Sequence, residues 1–199
     1  MTANRPTGTS QAGRFLLFYE QFRCGLIHMD TRPSVSLHRF FWLWKLQFRA
    51  EKTWLRLGLG KRVLGIEHVG STSIRGLPAK PIVDISIAVE DYEQAYWIVP
   101  FLKSLGYSYL GENPELREYA FERPGLFASA VFVCEPGGEK WQARLCFRNV
   151  LRNHPQSRRA YADLKHRLAR QYAGDLLAYQ RAKLPFVQDM LKKIRVEGE

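Results

Sequence analysis

The chain predicts an α+β fold: a small mixed β-sheet with flanking helices, followed by a helical C-terminal half. Three features of the sequence lead there. Residues 82–89, Ile-Val-Asp-Ile-Ser-Ile-Ala-Val, form a short β-branched run bounded by turn residues, as a buried strand does. Residues 107–110, 118–122 and 129–134 read as further strands, separated by Gly-Glu-Asn-Pro and Pro-Gly loops, and Gly137-Gly138 closes that sheet. From Glu139 onward apolar residues recur at helical steps: Trp141, Leu145, Phe147 and Leu151, then Ala160, Leu164 and Leu168, then Tyr179, Phe186 and Leu191.

Taken in order, residues 1–13 are rich in Thr, Gly, Ser and Gln and are expected to be disordered. Residues 14–29 fit a short amphipathic helix with too short an apolar run for a secretory signal. Residues 1–34 therefore read as a leader and 35–199 as a single domain. Residues 35–44 alternate and then turn aromatic, predicting a short strand or extended arm that enters a helix near Leu43. Trp44, Phe48, Glu51, Leu55 and Leu59 give that helix a buried stripe, ending near Gly58 or Gly60. The aromatic stripe reads as core rather than as a platform for stacking bases. An apolar run through Ile66 and Val69 then leads into the turn Gly70-Ser71-Thr72-Ser73, and residues 74–80, with Gly76 and Pro78, cannot continue a helix. Asp91 is placed to cap a helix running through Ala95, Ile98, Phe101 and Leu102 to Gly106. The breaks between the last three helices fall at Asn153-His154-Pro155 and Gly174-Asp175.

Composition narrows the function classes. With 199 residues, 46% of them apolar, the chain is long enough for one domain and an appendage. No apolar run approaches the roughly 18 residues of a membrane span. A formal charge of +11 favours polyanionic partners such as nucleoside triphosphates or RNA, although the basic residues are spread along the chain. Cys24, Cys134 and Cys146 form no short pairing motif, which fits reduced thiols in a cytoplasmic protein.

The chemistry concentrates at the turn. Gly70, Ser71, Thr72 and Ser73 offer backbone and hydroxyl donors to a phosphate, and Asp84 follows on a strand as a carboxylate able to hold a metal. Arg75 and Lys80 lie on the loop between them, either meeting phosphate oxygens or facing solvent. His68 beside the turn is either a structural residue or a phosphate or base contact. Lys165, Lys183 and Arg148 in the helical half are read first as solvated positions.

The run Ile66-Glu67-His68-Val69-Gly70-Ser71-Thr72-Ser73, followed by Gly76-Leu77-Pro78-Ala79-Lys80-Pro81-Ile82-Val83-Asp84-Ile85, resembles the signature of the GrpB family, a branch of the nucleotidyltransferase superfold. Trp44, Phe48 and Glu51 before it agree, as do Glu135-Pro136-Gly137, Trp141, His154-Pro155, Tyr161, Lys165, Tyr179 and Lys183 after it. The resemblance implies a sheet of the nucleotidyltransferase type and Mg²⁺-dependent transfer of a nucleotidyl group from an NTP to a small-molecule or RNA acceptor. It also implies a first metal-binding carboxylate at Asp84. The second acid of the pattern is replaced by Ser86, which shares the strand face of Asp84 and is the other candidate catalytic and metal-binding residue. Glu118, Glu122 and Glu135 are candidates for the third acid. Ala130 and Phe132 stand where many relatives carry imidazoles, so the alternative is a catalytically altered protein that keeps the fold and binds a nucleotide, a phosphorylated metabolite or RNA.

Overall fold

Alternation along one strand divides the molecule into two layers. In β2 (Val83–Val89) the residues Val83, Ile85, Ile87 and Val89 point one way and Asp84, Ser86 and Ala88 the other. The computed structural model, which describes residues 35–197 and the side chains of 35–193, shows what covers each face. The expected disorder of residues 1–13, the helix at 14–29 and the thiol of Cys24 lie outside the described residues.

The sheet has five strands in the order β1-β2-β5-β4-β3. They are β1 (Val63–Val69), β2, β3 (Ser108–Asn113), β4 (Glu118–Arg123) and β5 (Ser129–Cys134). Strands β2 and β5 are parallel and every other pair is antiparallel, so the sheet is mixed, as the sequence predicts. Two helices cover the Ile85 face: α1 (Phe41–Leu59) and α2 (Ile98–Ser104). Trp44 and Leu55 of α1, Ile98 and Leu102 of α2, and Ile85, Ile87, Val131 and Phe121 of the sheet make the main core. Each fully buried aliphatic side chain there contributes about 1.5–3 kcal/mol. A buried polar knot fastens α1 to that face. Glu51 takes an ion pair from Arg123 at 2.7 Å and a hydrogen bond from the Tyr107 hydroxyl, which itself accepts from Ser129 Oγ at 3.1 Å.

The opposite face carries the helical half, α3 (Glu139–Asn153), α4 (Pro155–Gln171) and α5 (Leu176–Glu197). Trp141 of α3 packs on Ala88 and Cys134, while Ile74 and Leu77 of the loop after β1 enter a second core with Leu151, Tyr161 and Met190. That loop is thereby fixed between sheet and helices. Helix α1 starts at Phe41, two residues before the expected entry, and the arm ahead of it forms a bridge between His38 and Ala79. Asp91 caps a turn rather than α2 itself: its carboxylate accepts from Glu93 N, and a short 3₁₀ turn at Ala95–Trp97 leads into the helix. Cys134 and Cys146 are free thiols. No helix among the described residues is long and apolar enough to cross a membrane.

Candidate functional site

The turn after β1 is bent so tightly that only glycine fits at its start. Gly70 has φ +67°, and a Cβ there would stand 2.1 Å from Asp84 Oδ2. The bend brings the backbone of the turn down onto the carboxylate of the neighbouring strand, since Val69 pairs with Asp84 in register. Ser73 holds the bend closed, its hydroxyl donating to Gly70 O at 2.7 Å.

Asp84, Gly70, Ser71 and Thr72 face a cavity of about 150 Å³ between the sheet and the helical half. Phe132 of β5 forms part of its floor, and Tyr161, Tyr179, Gln180 and Leu184 part of its helical wall. Five cationic side chains line it, Lys80 from the loop, Lys140 and Arg144 from α3, Lys165 from α4 and Lys183 from α5. Asp84 is the one carboxylate among the described lining residues. Arg144 is engaged with Glu118, Nη2 donating to Oε1 at 2.9 Å, and lies over the Phe132 ring at 4.0 Å. Lys165 is buried with Nζ donating to Pro78 O. Burial and the charge of Lys183 hold its pKa well below the usual lysine range, against the pull of Asp84. Burial also brings Lys140 down to about 8, with Glu118 opposing the shift. Two buried polar groups of this region have no hydrogen-bond partner among the described residues: the Gln180 amide, in the cavity wall, and Ser86 Oγ.

The expected site is thus partly assembled. Gly70, Ser71, Thr72, Lys80 and Asp84 meet at the cavity. Ser86 shares the Asp84 face, as alternation requires, and is fully buried, behind the residues that line the cavity. Ser73, His68 and Arg75 line a different trough on the far side of the turn. His68 pairs in register with Ile85, so it projects away from Asp84, stacks on Phe48 at 4.7 Å and has Nε2 3.0 Å from Thr72 Oγ1. Burial, then Arg152 and Arg148, lower its pKa to about 3, which favours the neutral imidazole.

Of the third-acid candidates, Glu118 is paired with Arg144, and Glu135 is bound by Arg117 at 2.7 Å. Glu122 sits opposite Ala130, itself beside Asp84, which places it in the same row but about 10 Å away, two strand spacings. Among the described residues no group of three His, Cys, Asp or Glu side chains is gathered to hold a metal. Mg²⁺ commonly uses one or two carboxylates together with substrate phosphates. Asp84, pressed against the turn at Gly70, fits that minimal role; a cage made by the protein alone does not.

Sequence reasoning underrated Lys165 and Lys183 and passed over Lys140, Arg144 and Gln180. A usable signal was present: Tyr161-Lys165 and Tyr179-Lys183 are both four-residue steps on helices, which puts ring and ammonium on one face. In the structure the ammonium groups lie 5.5 and 4.3 Å from those ring centroids. Arg148 does serve structure, donating to Glu67 at 2.7 Å and to His68 O at 2.9 Å.

Comparison with known proteins agrees with this architecture. The chain is 39% identical over 143 residues to a UPF0157 protein of Pseudomonas aeruginosa, covering 70% of this chain and 59% of that one. It is 34% identical over 161 residues to a UPF0157 protein of Halalkalibacterium halodurans, covering 80% and 82%. The crystal structure of the conserved protein GrpB from Enterococcus faecalis superposes with a TM-score of 0.69 at 27% identity, over 80% of this chain and 98% of that chain. The family model described as GrpB protein matches residues 34–193, and the chain belongs to the GrpB family.

Proposed function

We propose that the cavity, at about 150 Å³ too small for a whole nucleotide, takes the phosphate groups of a phosphorylated small molecule of the nucleoside triphosphate class. The observation that carries this reading is the charge of its lining: Lys80, Lys140, Lys165 and Lys183 face the carboxylate of Asp84, the single one among the described lining residues, while Arg144 is paired with Glu118. The backbone of the turn at Gly70 to Thr72 would add N–H donors to the phosphate oxygens. Lys165 and Lys140, both shifted toward the neutral form by burial, would recover full charge when an anion arrives. Binding therefore takes up protons and weakens as pH rises through about 8, where Lys140 loses its proton.

A second reading is supported by the close approach of Asp84 to the turn at Gly70, beside which a triphosphate chelating Mg²⁺ would find a carboxylate. On that reading the protein is a nucleotidyltransferase, Asp84 would supply one oxygen to the ion, and the ion would offset charge at the reacting phosphorus. The burial of Ser86 and the apolar Ala130 and Phe132 weigh toward binding. Calorimetric titration with ATP, inorganic triphosphate and adenosine, with and without Mg²⁺, tests the first reading: both phosphorylated ligands should bind and adenosine should not. Equal affinity for adenosine and ATP would overturn it. Pyrophosphate release with a panel of acceptors, abolished by Asp84→Asn, would establish transfer.

A further inference from the structure

On the far side of the Gly-Ser-Thr-Ser turn lies a trough of about 1010 Å³. It reaches the upper end of the roughly 300–1,000 Å³ typical of small-ligand pockets, which suits a longer ligand. Arg39, Lys45 and Arg49 stand along one side, on α1 or just before it, and Arg75 comes from the loop. Arg152, Arg158 and Arg159 close the other side, at the junction of α3 and α4. Asp163 is the one acid among the described lining residues, and His68, neutral, subtracts nothing.

Two of these arginines are part of the architecture. Arg152 donates to Ser73 O at 2.8 Å, and Arg158 to Leu151 O at 3.3 Å and Arg152 O at 3.2 Å. Arg39, Arg49 and Arg159 are exposed at the rim. Six of the seven cations are arginines, whose planar forks grip phosphate oxygens in pairs. Aromatic faces are interleaved with them. Phe41 and Phe48 line the trough, and the exposed Trp42 ring, outside the lining itself, has two of the lining cations against it, the Lys45 ammonium at 5.0 Å and the Arg75 guanidinium at 5.6 Å. An unpaired base uses a flat apolar face and its backbone a cationic track, and the trough offers the two together.

We infer that this trough is a binding track for single-stranded nucleic acid, with arginines on the phosphates and Trp42 as a stacking surface for a base. The inference does not depend on what the cavity does. The stripe of α1 expected to be core is core, with Trp44 buried and Phe48 packed against that core; Trp42 lies outside that stripe and is exposed.

The test is fluorescence anisotropy of the full chain with a labelled RNA of about 12 nucleotides, between 50 and 200 mM KCl. If about four phosphates are neutralised, affinity should fall roughly 50-fold over that range. The triple variant Arg39→Ala, Arg49→Ala, Arg159→Ala should bind at least tenfold more weakly and lower the salt slope by about 2. Trp42→Ala should weaken binding roughly 5- to 100-fold without changing the slope. Both variants carry surface changes and should keep the wild-type circular dichroism and the affinity for inorganic triphosphate. Lys165→Met should keep the RNA affinity, which separates the trough from the cavity. Wild-type affinity in the triple variant, equal binding of duplex RNA with the same slope, or competition by polyglutamate as effective per charge as RNA would each overturn the inference.

Discussion

Two residues beside the turn show how much of the site is geometry rather than chemistry. Gly70 is where β1 must stop without striking its neighbour strand. In Gly70→Ala the methyl group would meet Asp84 Oδ2 at 2.1 Å on a backbone already at positive φ. At φ +67° and ψ −171° the backbone lies in a region that is essentially glycine's alone, which costs another residue about 1–3 kcal/mol, and displacing the carboxylate adds to it. Gly70→Ala is expected to melt several degrees lower and to lose triphosphate affinity; a variant with wild-type melting and binding would show that the turn is not closed on Asp84. His68 gives the pH counterpart. Its folded pKa, about 3, lies below the ordinary 6.5, so above pH 6.5 it is neutral in both states and costs nothing. As pH falls below 6.5 the unfolded chain takes up a proton that the folded chain refuses, and this group removes up to about 1.4 kcal/mol of stability per pH unit. In urea titrations from pH 7.5 to 4.5, His68→Gln should begin less stable, having lost the stack on Phe48, and should show a shallower decline. A decline as steep as wild type would mean that His68 is protonated in the folded protein.

At the scale of elements, α3 does the most to set the cavity, because two Arg-Glu pairs tie it to the sheet. Arg144 reaches Glu118 on β4 and Arg148 reaches Glu67 on β1, on the same sheet face that presents Asp84. Glu118 is almost completely buried, so Glu118→Gln would leave the Arg144 guanidinium short of a counter-charge in a dry place. Breaking such a pair costs about 3–5 kcal/mol, and chemical denaturation of that variant should show a loss of this order. A loss under about 1 kcal/mol would mean that Arg144 moves to solvent or into the cavity. The elements themselves were largely legible in the sequence. The β-branched run around Asp84, the Pro-Gly and Gly-Gly loops and the helical periodicity after Glu139 are local signals, and the strands and helices fall within a few residues of where those signals put them. Arg144 and Glu118 were not legible as partners, because 26 residues separate them and only the β4-β5 pairing brings them together.

For the whole molecule, the consequence of this layout is a cavity closed only by the meeting of two halves. The sheet contributes Asp84 and the turn, and α3, α4 and α5 contribute most of the cations. The turn and Asp84 could be read from adjacent sequence. For Lys165 the sequence offers only the four-residue step from Tyr161; its burial is not legible, because a lysine between Leu164 and His166 looks like any solvated helix position until α4 is packed against Pro78. A buried lysine with one carbonyl partner is poor design for stability, since replacing a buried charge by an apolar side chain of similar volume is often neutral or stabilising by about 1–4 kcal/mol. Lys165→Met removes the ammonium and keeps most of the stem, at the cost of one hydrogen bond worth about 0.5–1.5 kcal/mol. Its melting temperature without ligand should equal or exceed that of the wild type. Saturating ligand reverses the order. At a triphosphate concentration about 100 times Kd the wild type gains about 2.7 kcal/mol, roughly 5–10 °C for a domain of this size. Lys165→Met should show almost none of that shift, while the triple variant of the rim arginines keeps it. If Lys165→Met is instead destabilised without ligand and shifted as far as wild type with it, Lys165 holds α4 to the Pro78 loop and the cavity's affinity for phosphate comes from its other cations and the turn.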